Sequence, residues 1–417
     1  MIRITAALAA ICAALIPLAA NADTLVDHVE GVTIGEDGGF LRFTGMVIDR
    51  EGKVVRLLQR GDKRPERPDY LVNGEGRVLI PGFVDSHVQV MRLGLSTVLL
   101  DLSGAKSLAE AQARIAAHAA SHPDRPWVLG FGWDADAWAA DGQNSDGRGM
   151  GRPPTAADLD AAVADRPAWL LDREGQAGWA NGKALAAAGI TLATRNPAGG
   201  RIERLPGGQK PAGVLVGRAM DLVEKAAPRP RPEDRDVALA AAQQIMLERG
   251  VTAVTDMGTT IEDWQAMRRA GDSGALAIRI MAYADGIEAM ELIGGPGPSP
   301  WLYADRLRLN GVRLVADGGL AARGALLKAP YADDPANRGL ALLDGTQLRN
   351  LMRRAAMDRF QVAVEASGDA AAATTLDAIS ELSQTYRGDR RWRIEKARLL
   401  DPADIARFAA LGALASV

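Results

Sequence analysis

Histidine is scarce in this chain: 417 residues contain only four, His28, His87, His118 and His122. Neutral imidazole is a preferred ligand of zinc and similar ions, so the scarcity argues against a histidine-rich metal centre. Cysteine is scarcer still. Cys12 is the only one, and it lies in an apolar N-terminal run, so the rest of the chain offers no thiol, no disulfide and no cysteine ligand. An excess of charge of one sign is also missing. Lys and Arg number 49 against 52 Asp and Glu, for a net charge of -3, and no long basic run is present. That balance gives no reason to expect a nucleic acid or an anionic membrane surface as partner. No G-x-G-x-x-G opens a helix after a strand, so a dinucleotide site is unsupported. Short-period repeats are lacking too.

What is present begins with a leader. Residues 1–22 read as a secretory signal peptide: Arg3, an apolar run from Ile4 to Leu18, and the small-residue processing site Ala20-Asn21-Ala22. The run is too short to remain as a membrane span. The expected protein is exported, periplasmic or secreted, with no membrane span in its mature chain. Apolar residues at 47% and charged residues at 24% are ordinary for a globular protein, and the length suits one large α/β domain with a smaller partner.

Residues 23–80 read as short strands. Leu41-Arg42-Phe43, Gly45 to Ile48 and Val54 to Leu58 are separated by the turn signals Glu36-Asp37-Gly38-Gly39 and Glu51-Gly52. An antiparallel sheet, part of a β-sandwich, is expected there. From residue 81 onward strands and helices alternate. The continuous apolar run from Val78 to Val84 reads as a fully buried parallel strand. Apolar strand runs recur at Trp127–Gly130, Ala168–Leu171, Val251–Val254, Ile278–Met281, Val312–Val315 and Gln361–Val364. Helices are expected at 107–120, 234–248, 347–358 and 371–384, with His118 and His122 at the end of the first. This beat implies a parallel sheet in a (β/α) barrel. It is interrupted at about 138–217, where a turn-rich stretch and a hairpin read as an insertion over the barrel mouth.

The string Leu79-Ile80-Pro81-Gly82-Phe83-Val84-Asp85-Ser86-His87-Val88-Gln89 resembles the first barrel strand of the metal-dependent amidohydrolase superfamily, P-G-[FL]-[IV]-D-x-H-x-H. Two residues apart on a strand, both histidines of that pattern face one metal. Trp127 to Asp134, Gly311 to Leu320, and Pro330-Tyr331 with Asn337-Arg338-Gly339 are similar, in the same order, to segments of the subgroup called amidohydrolase type 3. The resemblance covers nearly all of the chain after the leader. It implies an α/β fold built on a (β/α)8 TIM-type barrel, a divalent metal, usually zinc, and hydrolysis of carbon–nitrogen bonds other than peptide bonds.

The chain departs from that pattern where the chemistry lies. The resemblance places His87, Gln89, Arg313, Glu365 and Lys396 at metal-site positions, and Gln176 and Thr255 at substrate-site positions. Only His87 keeps the family's residue. The family also continues through further barrel strands, one carrying a catalytic aspartate, so the resemblance implies an incomplete barrel whose open edge could pair with another chain. Glutamine is a weak neutral ligand, and an arginine can neither ligate nor be carbamylated. A lysine beside a dication is repelled by several kcal/mol at an effective dielectric of about 20. No metal is therefore assigned. One expectation is an ion-pair network with Glu365 between Arg313 and Lys396; the other is that these side chains have drifted to solvent. Asp85, Asp256, Asp317 and Asp369 remain as polar groups near the mouth, able to meet a hard cation or to cap loops.

Three functions stay open on this reading. One is the family's hydrolysis by metal-activated water. Another is an exported, non-catalytic protein binding a small molecule, with Trp133, Trp138 and Trp179 as candidate pocket walls. The last is the decayed product of a truncated gene, with unpaired strand edges. The lost ligands favour a pseudoenzyme.

Overall fold

The computed structural model describes residues 24–139 and 152–417. The leader-like segment 1–22, with Cys12, lies outside the described residues, as does part of the stretch read as an insertion. The chain forms two compact units, divided between Gly82 and Phe83.

The first unit is a single five-stranded sheet of β1 (Thr24–Ile34), β2 (Phe40–Ile48), β3 (Val54–Leu58), β4 (Tyr70–Asn73) and β5 (Val78–Leu79). β1–β2 and β2–β3 pair antiparallel, as expected. β4 and β5 instead run parallel to β1, so the sheet is mixed. Inside it, Arg64 Nη2 lies 3.0 Å from Asp27 Oδ1.

The apolar run from Val78 to Val84 is not one buried strand. Ile80-Pro81-Gly82 interrupts it, because proline lacks the N–H that a ladder needs and restricts the residue before it. The second part begins the other unit as β6 (Phe83–Val88), where Phe83 is 57% and Val84 69% exposed.

The second unit contains two sheets. In chain order, β7 (Leu100–Asp101), β8 (Val128–Trp133), β9 (Ala168–Asp172), β10 (Ala177–Ala180), β11 (Gly200–Arg204) and β12 (Pro211–Gly217) make a six-stranded mixed sheet. Its hairpin β11–β12 falls where the sequence places one. That hairpin continues the β7–β10 sheet, and both ends share one core. Trp133, Trp138 and Trp179 pack there with ring centroids 6.1–6.4 Å apart. Trp138 and Trp179 are fully buried, so they are core and not pocket wall.

The other sheet holds β6 with β13 (Val251–Thr259), β14 (Arg279–Asp285), β15 (Leu307–Val315), β16 (Gln361–Glu365), β17 (Arg393–Glu395) and β18 (Leu414–Ala415), every pair parallel. Helices at Pro232–Glu248, Ile261–Asp272, Gly345–Met357 and Asp369–Thr385 cover its outer face. The second and third start at capping boxes, Thr260 with Asp263 and Asp344 with Gln347, which satisfy the first free N–H groups. Side-chain alternation sorts the two faces. Ile280, Ala282 and Ala284 with Val312, Leu314, Val362, Val364 and Ile394 point outward into the main core. Met257, Tyr283 and Ala363 form a separate inner cluster. Gly311 is required there, because a Cβ would run into the Tyr283 ring and the Gln361 carbonyl.

The sheet is strongly curved. β6 and β17 are five strand spacings apart along the ladder, about 24 Å if the sheet were flat. Yet His87 Nδ1 on β6 lies 2.6 Å from Glu395 Oε2 on β17, and Arg393 Nη2 donates to the Ser86 carbonyl at 2.8 Å. The strands thus wrap into a half-barrel whose seam is bridged by side chains, with their C-terminal ends around one mouth.

Candidate functional site at the barrel mouth

Three neighbouring strands deliver the first part of the site. Asp285 ends β14 in register with Arg313 on β15, and Glu365 ends β16 two residues above the Arg313 level. A strand rises about 3.3 Å per residue, so a guanidinium on its long stem reaches that height. Arg313 Nε donates to Glu365 Oε1 at 2.8 Å, and Arg313 Nη1 to Asp285 Oδ1 at 2.9 Å. Lys396 Nζ lies 3.2 Å from Glu365 Oε2. The buried carboxylate therefore sits between two cations, and the drift of these side chains to solvent is ruled out by the distances. Glu365 Oε2 lacks an aligned hydrogen bond, so its contact with Lys396 is an ion contact only.

A second pair stands beside the first. His87 Nδ1 is bound to Glu395 Oε2 at 2.6 Å, while His87 Nε2 is 3.9 Å from Glu365 Oε1. Arg393 Nε contacts Glu395 Oε1 at 2.6 Å. Glu395 and Lys396 are consecutive, and on a regular strand they would face opposite sides. Lys396 has φ of +58°, and this left-handed turn brings both side chains to the mouth at a cost of roughly 1–3 kcal/mol.

The charges hold one another ionised. Burial opposes ionisation of Glu365, but the Arg313 and Lys396 charges, the Arg313 hydrogen bond and His87 outweigh it and hold its carboxyl at about 2. Burial likewise works against the charge of Arg313, yet Glu365 and Asp285 leave its pKa raised. For Glu395, burial is overcome by the His87 hydrogen bond and the Arg393 charge, so its pKa is lowered.

His87, Arg313, Glu365 and Lys396 are thus brought together. Gln89 lines the same cavity as His87 and Lys396 without joining the ion pairs. Gln176 and Thr255 take no part in the network; Gln176 donates its backbone N–H to Asp172, and Thr255 is buried on β13 in register with Met281. The four aspartates serve the backbone. Asp85 accepts from the His87 N–H and Asp369 from the Lys328 N–H. Asp256 accepts from the Val90 N–H at 2.7 Å and the Thr259 hydroxyl at 2.5 Å. Asp317 accepts from the N–H groups of Leu326, Ser367 and Gly368, each at 2.8 Å. Burial raises both Asp256 and Asp317 to about 6 despite these bonds.

Sequence reasoning missed Glu395, Asp285 and Arg92. Arg92 follows Gln89 by one turn in the helix Val90–Leu95 and donates to the carbonyls of Asp172, Arg173 and Glu174. Its signal was a lone cation on a short apolar helix.

A half-barrel of parallel strands with a polar mouth at their C-terminal ends defines an α/β scaffold of the barrel type. The Amidohydrolase family model matches residues 71–417, and the chain belongs to that family. It is 33% identical over 420 residues to Protein LONG AFTER FAR-RED 3 of Arabidopsis thaliana, covering 96% of this chain and 68% of that protein. It is 30% identical over 393 residues to the amidohydrolase relative YtcJ of Bacillus subtilis (strain 168), covering 92% and 68%. Among solved structures it is similar to an uncharacterized metal-dependent hydrolase from Pyrococcus horikoshii OT3, with a TM-score of 0.66, 25% identity, and coverage of 95% and 74%.

The family's metal does not fit the residues present. Among the described residues, no group of three or more His, Cys, Asp or Glu is placed to hold an ion. His87 is the only imidazole at the mouth, its Nδ1 is committed to Glu395, and Glu365 is already neutralised by two fixed cations. Arg313 and Lys396 add positive charge where a dication would need donors.

Proposed function

We propose that this amidohydrolase-family protein no longer performs metal-assisted hydrolysis of non-peptide carbon–nitrogen bonds, and that an ion-pair network has taken the volume and the charge of the metal centre. The observation that carries this reading is Glu365 held between Arg313 and Lys396. A hydrolytic ion must offer an open coordination position to water and lower its pKa. Here the cationic role at the mouth belongs to a guanidinium and an ammonium, neither of which can activate water in that way. What they do supply is a fixed positive field in a concave site, suited to binding. Export of the mature chain, as the leader-like segment suggests, belongs to the same reading.

The test is elemental analysis of the purified protein together with amide and formamide hydrolysis before and after chelation. The expected result is substoichiometric metal and no chelator-sensitive turnover. Near-stoichiometric zinc with turnover abolished by chelator would overturn the proposal.

A further inference from the structure

The cavity beside the network has its own charge pattern. It is an open cleft of about 410 Å³, lined by Arg92, Arg173, Lys396 and Arg398 against one carboxylate, Glu174, with Val88, Leu93 and Phe131 as apolar wall. Positive charge exceeds negative charge in the lining, although each cation has protein acceptors. Arg92 is half-buried and enters no ion pair among the described residues; its partners are carbonyl oxygens at 3.2 Å and the Gln89 Oε1 at 3.5 Å. Burial pushes the Arg92 pKa down, against the charges of Asp172 and Glu365. Lys396 touches Glu365 at 3.2 Å without an aligned hydrogen bond. Arg173 and Arg398 reach Asp134 and Glu174 only at 3.4 and 3.3 Å, from largely exposed positions.

This excess is built into the chain and is not a loose surface patch. Gly175, at φ of +71°, lets the Arg92 guanidinium lie directly over the loop, where any Cβ would collide with it. The carbonyls of residues 172–174 then fix its orientation.

We infer that this cavity binds a small organic carboxylate, its head between Arg92, Lys396 and Arg398 and its apolar body against Leu93 and Phe131. The inference rests on the reading of the mouth as a metal-free cationic site. A planar carboxylate suits guanidinium geometry. The volume of the cleft falls in the range of small-molecule sites, and it is lined by both polar and apolar groups, as such sites are.

Benzoate and its uncharged isostere benzamide distinguish charge from shape. Calorimetric titration uses the full chain, chelator-treated, with its metal content measured. Benzoate is expected to bind saturably, benzamide at least about tenfold more weakly, and added salt to weaken benzoate. Arg92→Met should reduce benzoate affinity by about tenfold or more. That variant frees three carbonyls and could unfold the loop, so Arg398→Gln, on a mostly exposed side chain, is the folding-neutral control, with an expected loss of about threefold. Benzoate and benzamide binding alike, or no saturable benzoate binding by metal-free protein, would overturn the pocket while leaving the proposed function standing. Benzoate binding that requires bound metal and vanishes on chelation would overturn both.

Discussion

Arg313 Nε lies 2.8 Å from Glu365 Oε1, with both side chains at or below a tenth exposed, on neighbouring parallel strands. A buried pair of this kind stabilises little over an apolar replacement, yet removing one partner strands a charge in the interior. Arg313→Met is therefore expected to lower the unfolding free energy by about 3–5 kcal/mol. The double variant Arg313→Met/Glu365→Leu should lose far less than the sum of the single losses. Urea unfolding of the four proteins measures the coupling, and additive losses would count against a buried pair.

The same pairing fixes an acid limb of stability. Glu365 has its folded pKa depressed to about 2, from an ordinary 4.5. Its contribution is complete above about pH 4.5 and is lost as pH falls from there towards 2, by roughly 3 kcal/mol in all. Urea midpoints measured between pH 6 and pH 3 should fall steeply in the parent chain and less steeply in Glu365→Gln. Equal slopes would place the acid sensitivity elsewhere.

Asp256 has the opposite sign. It is fully buried and raised to about 6 from 3.8. The folded state then holds more protons than the unfolded state between those values, so this group destabilises the protein as pH rises through that window. An asparagine keeps an acceptor for the Val90 N–H and can donate to the Thr259 hydroxyl. Asp256→Asn should leave stability at pH 4 nearly unchanged and raise it at pH 8, by on the order of 1–3 kcal/mol. A variant less stable at pH 8 would show that the charged form is the one the site favours.

What could be read from the sequence follows from how local each signal is. The helices 108–121, 232–248, 345–357 and 369–385 lie within a few residues of their expected bounds, because their periodicity and caps are local. Glu365 between Arg313 and Lys396 was legible because three charges stood at strand ends that the family resemblance aligned on one mouth. Glu395 was not, because strand alternation assigns it to the face opposite Lys396, and the positive φ that cancels the alternation carries no glycine or asparagine to announce it. Pro81 was readable as a break, but the apolar run around it outweighed that signal. The curvature that brings His87 to Glu395 depends on all the strands between them and has no local signature.

Metal uptake by substituted chains tests whether the cations exclude an ion or merely replace one. Gln89→His alone would supply a second imidazole to the cavity that His87 and Lys396 line. With Arg313 and Lys396 still in place, a dication there meets two fixed positive charges, and Glu365 is engaged by both. The single substitution is expected to take up no stoichiometric zinc. Combining Gln89→His with Arg313→Met, Glu365→His and Lys396→His removes both cations and supplies neutral nitrogen donors, so uptake should approach about one ion per chain. Elemental analysis after dialysis reads both outcomes. Stoichiometric zinc in the Gln89→His chain alone would mean that the missing imidazole, and not the cation network, is what keeps the ion out.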